Sequence, residues 1–485
     1  KLNRIQKVSE MTELHRRLAR LRAGGKARLL DLFAGCGGFS LGFQAAGYEL
    51  VGAVEINPLA AATYRRNLMP DVPLESINRD IDALRPGRAR DDMELEDDID
   101  VVVGGPPCQA FSRIGRAKLR EVRADPRAHV EDRRVRLSRR YLQVVQELSP
   151  LALVLENVVD LANHAGRNRA AELCMNLERL GYRCMYACLN AAHYGVPQMR
   201  ERLILVGIHE SLGQLPRFPR PTHAIDLPRG YQDVRKVAGR RGNRHFVEVP
   251  GSGHLRPAVT VMEAIGDLPA FTAHLTGSYR SRYYSQSEAL PYRLPVTSDT
   301  FAALMRRWPG FPADPGVFDH KIRELPNDRH VFERMEPGDD YPVAYEIGER
   351  LFTAMLNGHP NPPLPGTPEY RRLRRQAGPT YDPTKFPNKW RKMEPDQPAR
   401  TLMAHLGKDC YTHIHYDSTQ ARTISVREAA RLQSFPDGFR FEGPMNPAFE
   451  QIGNAVPPLL ARAIGEALLQ QLRAGGSGRL SGVAS

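Results

Sequence analysis

Ile99-Asp100-Val101-Val102-Val103-Gly104-Gly105-Pro106-Pro107-Cys108-Gln109 is the stretch on which the fold turns. A short β-branched run that stops at Gly-Gly-Pro-Pro reads as a buried strand with an abrupt end. Such an end presents the next side chain at the C-terminal edge of a sheet, where open α/β sheets place their chemistry. That side chain is a thiol, a strong nucleophile once ionised. Most free cysteines are simply small buried apolar groups. Here a glycine-rich loop precedes the run and a carboxylate motif follows it, and that order favours chemistry.

Outward from this strand, short apolar runs alternate with helical patterns between Arg28 and His209. The candidate strands are 28–33, 50–55, 100–103, 151–155, 182–189 and 202–208. Strands separated by helices predict parallel β-α-β units, hence an α/β fold with a doubly wound, Rossmann-like sheet. Ahead of it, Ile5, Val8, Met11, Leu14, Leu18 and Leu21 recur at helical spacing, so residues 1–27 form an amphipathic helix capping the domain. The acidic run 91–98 reads as a solvated loop. Near Leu215 the character changes to Pro, Gly, Arg and Tyr without sustained periodicity, which predicts an inserted, irregular domain. The organisation expected is therefore 1–27, 28–209, an insert at 210–400, a return at 401–473 with a C-terminal helix, and a flexible tail at 474–485.

The 485 residues allow two or three domains and a core that needs no disulfide staple. Six scattered cysteines give neither a disulfide framework nor zinc spacing, so no metal is expected and the compartment reads as reducing. No apolar stretch approaches the ~20 residues of a membrane span, and no signal-peptide core opens the chain. It starts with Lys rather than Met, from which preceding native residues are expected. The net charge of +13, rich in arginine, points to nucleic acid, because a planar guanidinium grips phosphates and guanine edges in a bidentate way.

Asp31-Leu32-Phe33-Ala34-Gly35-Cys36-Gly37-Gly38 is a strand running into a glycine-rich turn and a helix, a site suited to close backbone approach by a ligand. Glu55, ending the next strand about twenty residues on, can hold ribose hydroxyls. Asp80 can receive an exocyclic adenine amine. No phosphate-loop lysine follows the glycines, which argues against a nucleoside triphosphate. Cys36 reads as packing. Glu156-Asn157-Val158 puts a carboxyl group at the edge of another strand, and the period of two puts Gln198, Arg200 and Arg202 on one face. A thiol, a carboxyl group and guanidiniums at one rim suit nucleophilic attack on an electron-poor ring.

These segments, taken together, resemble the bacterial-type DNA cytosine-5 methyltransferase family. The resemblance runs through the Asp31–Gly38 loop, Gly105-Pro106-Pro107-Cys108-Gln109-Ala110-Phe111-Ser112, Glu156-Asn157-Val158 and Gln198-x-Arg200-x-Arg202. It continues in Arg427-Glu428-Ala429-Ala430-Arg431-Leu432-Gln433-Ser434-Phe435-Pro436 and Gln451-Ile452-Gly453-Asn454-Ala455-Val456-Pro457-Pro458. It implies S-adenosylmethionine as cofactor, held by Phe33, Ala34, Gly35, Gly37, Gly38, Glu55, Ile56, Asp80, Ile81, Pro106, Asn454 and Val456. It implies a cytosine flipped out of duplex DNA. Cys108 attacks its C6, Glu156 binds its N3 and N4 edge, and Arg202 supports both, with Arg200 behind it or on the backbone and Gln198 a further catalytic candidate on the same face. A basic loop at 112–134, with Arg116, Lys118 and Arg120, is expected to close over phosphate; its Asp132-Arg133-Arg134 matches the family pattern only in part.

The insert is expected to read sequence, with Lys389, Arg391, Thr401, His405 and Lys408 as candidate DNA contacts beside Trp390 and Arg400. The implied partner is double-stranded DNA, met by a monomer in a prokaryotic cytoplasm, at the nucleoid. A cognate restriction nuclease or defence proteins are candidate partners in restriction-modification. A tRNA-methylating branch of the same family and a non-catalytic DNA-binding relative are the alternatives; the long insert favours DNA, and the intact motifs favour catalysis.

Overall fold

The computed structural model describes residues 2–107, 133–163, 166–228, 243–251, 253–278, 288–313, 316–384, 387–408 and 410–474. The chain forms two compact units, one from 1–195, 200–257 and 455–485, the other from 196–199 and 258–454. The lines read from the sequence at 210 and 400 followed changes in periodicity. Compactness divides the chain instead after 257 and after 454, because residues 401–454 make their contacts with the inserted segment.

The first unit is built on β1 (Ala27–Leu32), β2 (Tyr48–Val54), β3 (Val101–Gly104), β4 (Ala152–Asn157), β5 (Tyr182–Asn190) and β7 (Glu201–His209), in the order β2-β1-β3-β4-β7-β5. The two-residue strand β6 (Gln198–Met199) pairs within the second unit, with 399–400. All six strands fall where the apolar runs predict them. One feature corrects the expected parallel sheet. Strands β2, β1, β3 and β4 are parallel, but β7 runs antiparallel to both β4 and β5. A parallel return needs a crossover of a dozen or more residues. Between Asn190 and Glu201 there is room only for a short 3₁₀ turn, Ala191–Tyr194, and β6.

Strands β3 and β4 are buried at every position, so they show no alternation. Helix α4 (Arg133–Leu148) covers them, its Tyr141 hydroxyl donating to the Val102 and Val154 carbonyls at 3.2 and 3.1 Å. Helix α2 (Gly38–Ala45) packs on the C-terminal helix Pro458–Ala474 through glycines. A Cβ at Gly38 would stand 2.2 Å from the Val456 carbonyl oxygen, and one at Gly42 2.4 Å from that of Pro458. The N-terminal helix α1 (Leu2–Arg22) buries Leu14, Leu18 and Leu21, as a cap should. Its Arg17 donates to the Ile99 carbonyl at 2.8 Å, and Arg20 pairs with the buried Asp100. The acidic run is not merely solvated. Asp92, Glu94, Asp97 and Asp98 pair with Arg85, Arg79, Arg28 and Arg16.

The second unit is less irregular than its composition suggests. It holds a 17-residue helix, Tyr341–Asn357, and a 9-residue one, Pro368–Gln376, neither read from sequence. The first opens with Pro342 in its first turn, where proline suits a helix, and carries Val343, Ile347, Gly348 and Thr353 among better helix formers, so packing supports it beside propensity. Trp390 lies in the core, stacked on Tyr411 at 4.7 Å and flanked by Phe332 and Tyr341. Charges are buried there too. Arg422 binds Glu428 through both oxygens at 2.7 and 2.6 Å, and Arg431 bridges Asp437 and Asp267. The Arg422 guanidinium holds the Glu428 carboxyl far below the usual range against the cost of burial.

Candidate active site

Strand β1 leaves the sheet through a tight turn. Phe33, Gly35 and Gly37 have φ of +60°, +56° and +97°, a conformation that only glycine adopts without strain, so Phe33 is held there by its surroundings. The turn closes over Glu55, just past β2. One Glu55 oxygen accepts the Gly35 N–H at 2.8 Å, the other the Asn57 N–H at 2.7 Å. Burial pushes this carboxyl up, and those two N–H groups pull it partly back. Asn57 also caps helix α3 (Pro58–Leu68), and Asn78 donates to the Glu55 and Ile56 carbonyls. Ile56 is 59% exposed beside the carboxylate. Asp80 caps a short 3₁₀ turn by accepting the Asp82 N–H at 3.0 Å, while Ile81 is buried in the core beneath.

Under the turn lies a buried polar chain that sequence reading missed. Ser40 donates to Asp31 at 2.7 Å and shares a second 2.7 Å bond with the Tyr64 hydroxyl. Burial raises the Asp31 carboxyl to about 7, opposed by the Ser40 bond and reinforced by the charge of Glu55. Cys36 is buried, and burial pushes its thiol up, as a packing residue requires.

Strand β3 lies between β1 and β4, so what leaves β3 emerges between the glycine turn and Glu156. Gly104 must be glycine, since a Cβ would stand 2.8 Å from the Leu32 carbonyl oxygen. The Asn157 amide donates to the Pro106 carbonyl at 3.0 Å and fixes the Pro-Pro exit. Glu156 pairs with Arg202 Nε at 2.7 Å, and a second Arg202 nitrogen donates to the Glu201 carbonyl. A Cβ at Gly105 would lie 3.3 Å from a Glu156 oxygen, so the carboxylate stands directly against the exit of β3. Arg200 is buried, its carbonyl accepting the Ala191 N–H at 2.8 Å. Cys108, Arg116, Lys118 and Arg120 lie outside the described residues.

Gln198 has a different task from the one its motif suggests. Its amide donates to the Leu432 carbonyl at 3.1 Å and accepts the Leu402 N–H at 2.9 Å, fully buried in the second unit. It is a framework residue there. Asn454 is exposed at the end of helix Met445–Asn454 in the second unit, whereas Val456 is buried in the first. Among the DNA candidates, His405 and Lys408 are exposed. Thr401 donates to the Met199 carbonyl at 2.7 Å, Arg391 stands 3.5 Å from Glu394, and Lys389 sits over the Tyr381 ring at 3.2 Å.

A sequence profile of the C-5 cytosine-specific DNA methylase family matches residues 27–470. A protein of Oceanobacillus iheyensis named for a type II methyltransferase, M.OihORF3336P, is 37% identical over 455 residues, covering 92% of this chain and 96% of that protein. The type II methyltransferase M.AgeI of Thalassovita gelatinovora is 31% identical, covering 91% and 99%. Among solved structures, an E. coli prophage protein described as a DNA modification methyltransferase aligns at a TM-score of 0.59. It is 21% identical and covers 92% of this chain and 99% of its own, a likeness of fold. With a profile spanning nearly the whole sequence and relatives covered end to end, the chain belongs to the C-5 cytosine-specific DNA methylase family, whose members are DNA cytosine-5 methyltransferases.

Proposed function

We propose that the chain methylates carbon 5 of a cytosine flipped out of a specific duplex DNA sequence, with S-adenosylmethionine as donor and Cys108 as nucleophile, in a prokaryotic restriction-modification or defence setting. The observation that carries this reading is the exit of β3, which opens between the Gly35 turn on one side and the Glu156–Arg202 pair on the other. The turn fits the cofactor. A Cβ at Gly35 would meet nothing within 4 Å, Glu55 offers a carboxylate for ribose hydroxyls, and Ile56 offers an exposed apolar face for a flat ring. Phe33, Ala34, Gly37, Gly38, Pro106 and Val456 shape the walls, and Asp80 is the candidate acceptor for the adenine amine. When bound, S-adenosylmethionine supplies an electrophilic methyl group.

The protein's own residues do the rest. Cys108, as thiolate, forms a bond to C6 of the cytosine and drives the ring electrons toward carbon 5. Glu156 holds the N3 and N4 edge, stabilising the electron-rich ring by hydrogen bonds. Arg202 holds that carboxylate in place by a charge-assisted bond. After methylation, the proton on carbon 5 passes to a base or water, and the electron pair it leaves expels Cys108. Residues 210–400 and the basic loop 112–134 are proposed to read and grip the duplex.

Tritiated methyl transfer to duplex DNA, with tRNA tested in parallel, checks the reading. Wild type labels DNA, and Cys108→Ser loses nearly all turnover while binding duplex within a few-fold, because a hydroxyl is a far weaker nucleophile at neutral pH. Appreciable turnover by Cys108→Ser, or labelling of tRNA alone, overturns it.

A further inference from the structure

Within residues 210–400, proposed above to read and grip the duplex, the second unit carries a helical hairpin with a basic outer face. Its arms are the helices Tyr341–Asn357 and Pro368–Gln376. The second arm turns Leu373 and Tyr370 inward, with the Tyr370 ring edge-on to Phe352 at 5.1 Å. Its other faces carry Arg371, Arg372, Arg374 and Arg375 against a single carboxylate, Glu369. Two of these arginines have partners nearby. Arg372 bonds Glu369 at 2.7 Å, and Arg374 pairs with Glu349 and lies over the Tyr345 and Phe352 rings. Arg371 and Arg375 are exposed and, among the described residues, make no side-chain hydrogen bond or ion pair.

Spaced four apart, these two point from one flank of the helix, separated along its axis by about 6 Å. A cation in the last turn steadies the helix dipole, which gives Arg375 a modest structural use; Arg371, in mid-helix, gains nothing that way. The arm is also well anchored. Thr367 caps it by accepting the Tyr370 N–H, and the same hydroxyl donates to the Leu364 carbonyl at 2.8 Å.

We propose that Arg371 and Arg375 grip the phosphate backbone of duplex DNA, so that this hairpin acts as a sequence-independent clamp beside whatever loops read the bases. This rests on duplex DNA being the substrate. The chemistry favours phosphate. Two guanidiniums held free on a fixed helix offer bidentate donors to successive anionic oxygens, and the chain as a whole carries a net charge of +13.

The test is Arg371→Gln/Arg375→Gln, which keeps helix propensity and touches no packed surface. Arg350→Gln, an exposed arginine on the other arm, is the control. Fluorescence anisotropy on a duplex that wild type methylates and on an unrelated duplex, between 50 and 200 mM salt, gives the readout. Loss of two phosphate contacts lowers the slope of log affinity against log salt by about 1.8 on both duplexes. The ratio of the two affinities and kcat at saturating DNA stay unchanged. An unchanged slope overturns the clamp, including the case in which the flank serves an acidic protein. A loss confined to the methylated duplex overturns it too, since that marks base reading. Wild-type methyl transfer, measured on the same preparations, reports separately on the proposed reaction.

Discussion

Asp31 shows how much a single position under the site can matter. Its carboxyl is wholly buried and raised to about 7, from the usual value near 3.8. In that window the folded chain keeps a proton that the unfolded chain has released, so stability falls as pH rises from about 4 to about 7. The full loss is on the order of 4 kcal/mol, at about 1.4 kcal/mol for each pH unit. Asp31→Asn resembles the protonated form and can still accept from Ser40. It should therefore gain on wild type as pH rises, by a margin largest at pH 8 and smallest at pH 4. Urea unfolding at pH 4, 6 and 8 checks this. A constant difference between the two proteins would mean that Asp31 titrates alike in both states. The neighbouring Glu55 was legible from its place after β2. The Asp31–Ser40–Tyr64 chain was not, because a carboxylate inside a strand says nothing about what a helix will lay against it.

At the scale of elements, the seam between α2 and the C-terminal helix decides how the two ends of the chain meet. Alanine at Gly42 would favour helix α2 by about 1 kcal/mol. Its Cβ would however stand 2.4 Å from the Pro458 carbonyl oxygen and 2.6 Å from the Arg462 nitrogen, both backbone atoms that cannot turn aside. Overpacking wins. Gly42→Ala should lose about 1–3 kcal/mol of stability, read from the urea midpoint. Equal stability would show that the helices can part without cost. The family resemblance, through Val456, already implies that the end of the chain returns to the glycine turn; that Gly42 is where the two backbones meet, over 400 residues apart in sequence, is decided by packing.

For the whole molecule, cofactor binding and stability are linked. S-adenosylmethionine at about a hundred times its Kd should stabilise the first unit by about 2.7 kcal/mol, seen as a rise in Tm. Glu55→Ala should weaken binding by about 1–3 kcal/mol, since a charged acceptor is lost from hydroxyl donors, and the stabilisation at the same concentration should fall to about 0.3–1.7 kcal/mol. A full rise in the variant would remove Glu55 from the cofactor site. Calorimetric titration gives the affinity directly.

The six strands, the glycine turn, Glu55, Glu156 and the final helix were readable because each rests on local pattern: an apolar run, a glycine cluster, a carboxylate at a strand end. Pattern of this kind is set by near neighbours. The direction of β7 was decided by the length of one connection, too short for the crossover that apolar runs by themselves imply. Helix Tyr341–Asn357 was hidden because Val343, Ile347, Gly348 and Thr353 interrupt its helix formers, and its order comes also from Trp390 and Phe332 packed against it. Gln198 looked catalytic beside two arginines, yet its amide closes on Leu432 and Leu402, more than 200 residues on. Buried pairs such as Arg422–Glu428 are likewise invisible in sequence, where charge reads as surface. Local chemistry was written in the sequence. Which distant groups would satisfy a buried polar atom, and which glycines would admit a second backbone, was settled only by tertiary packing, because burial is a property of the whole fold.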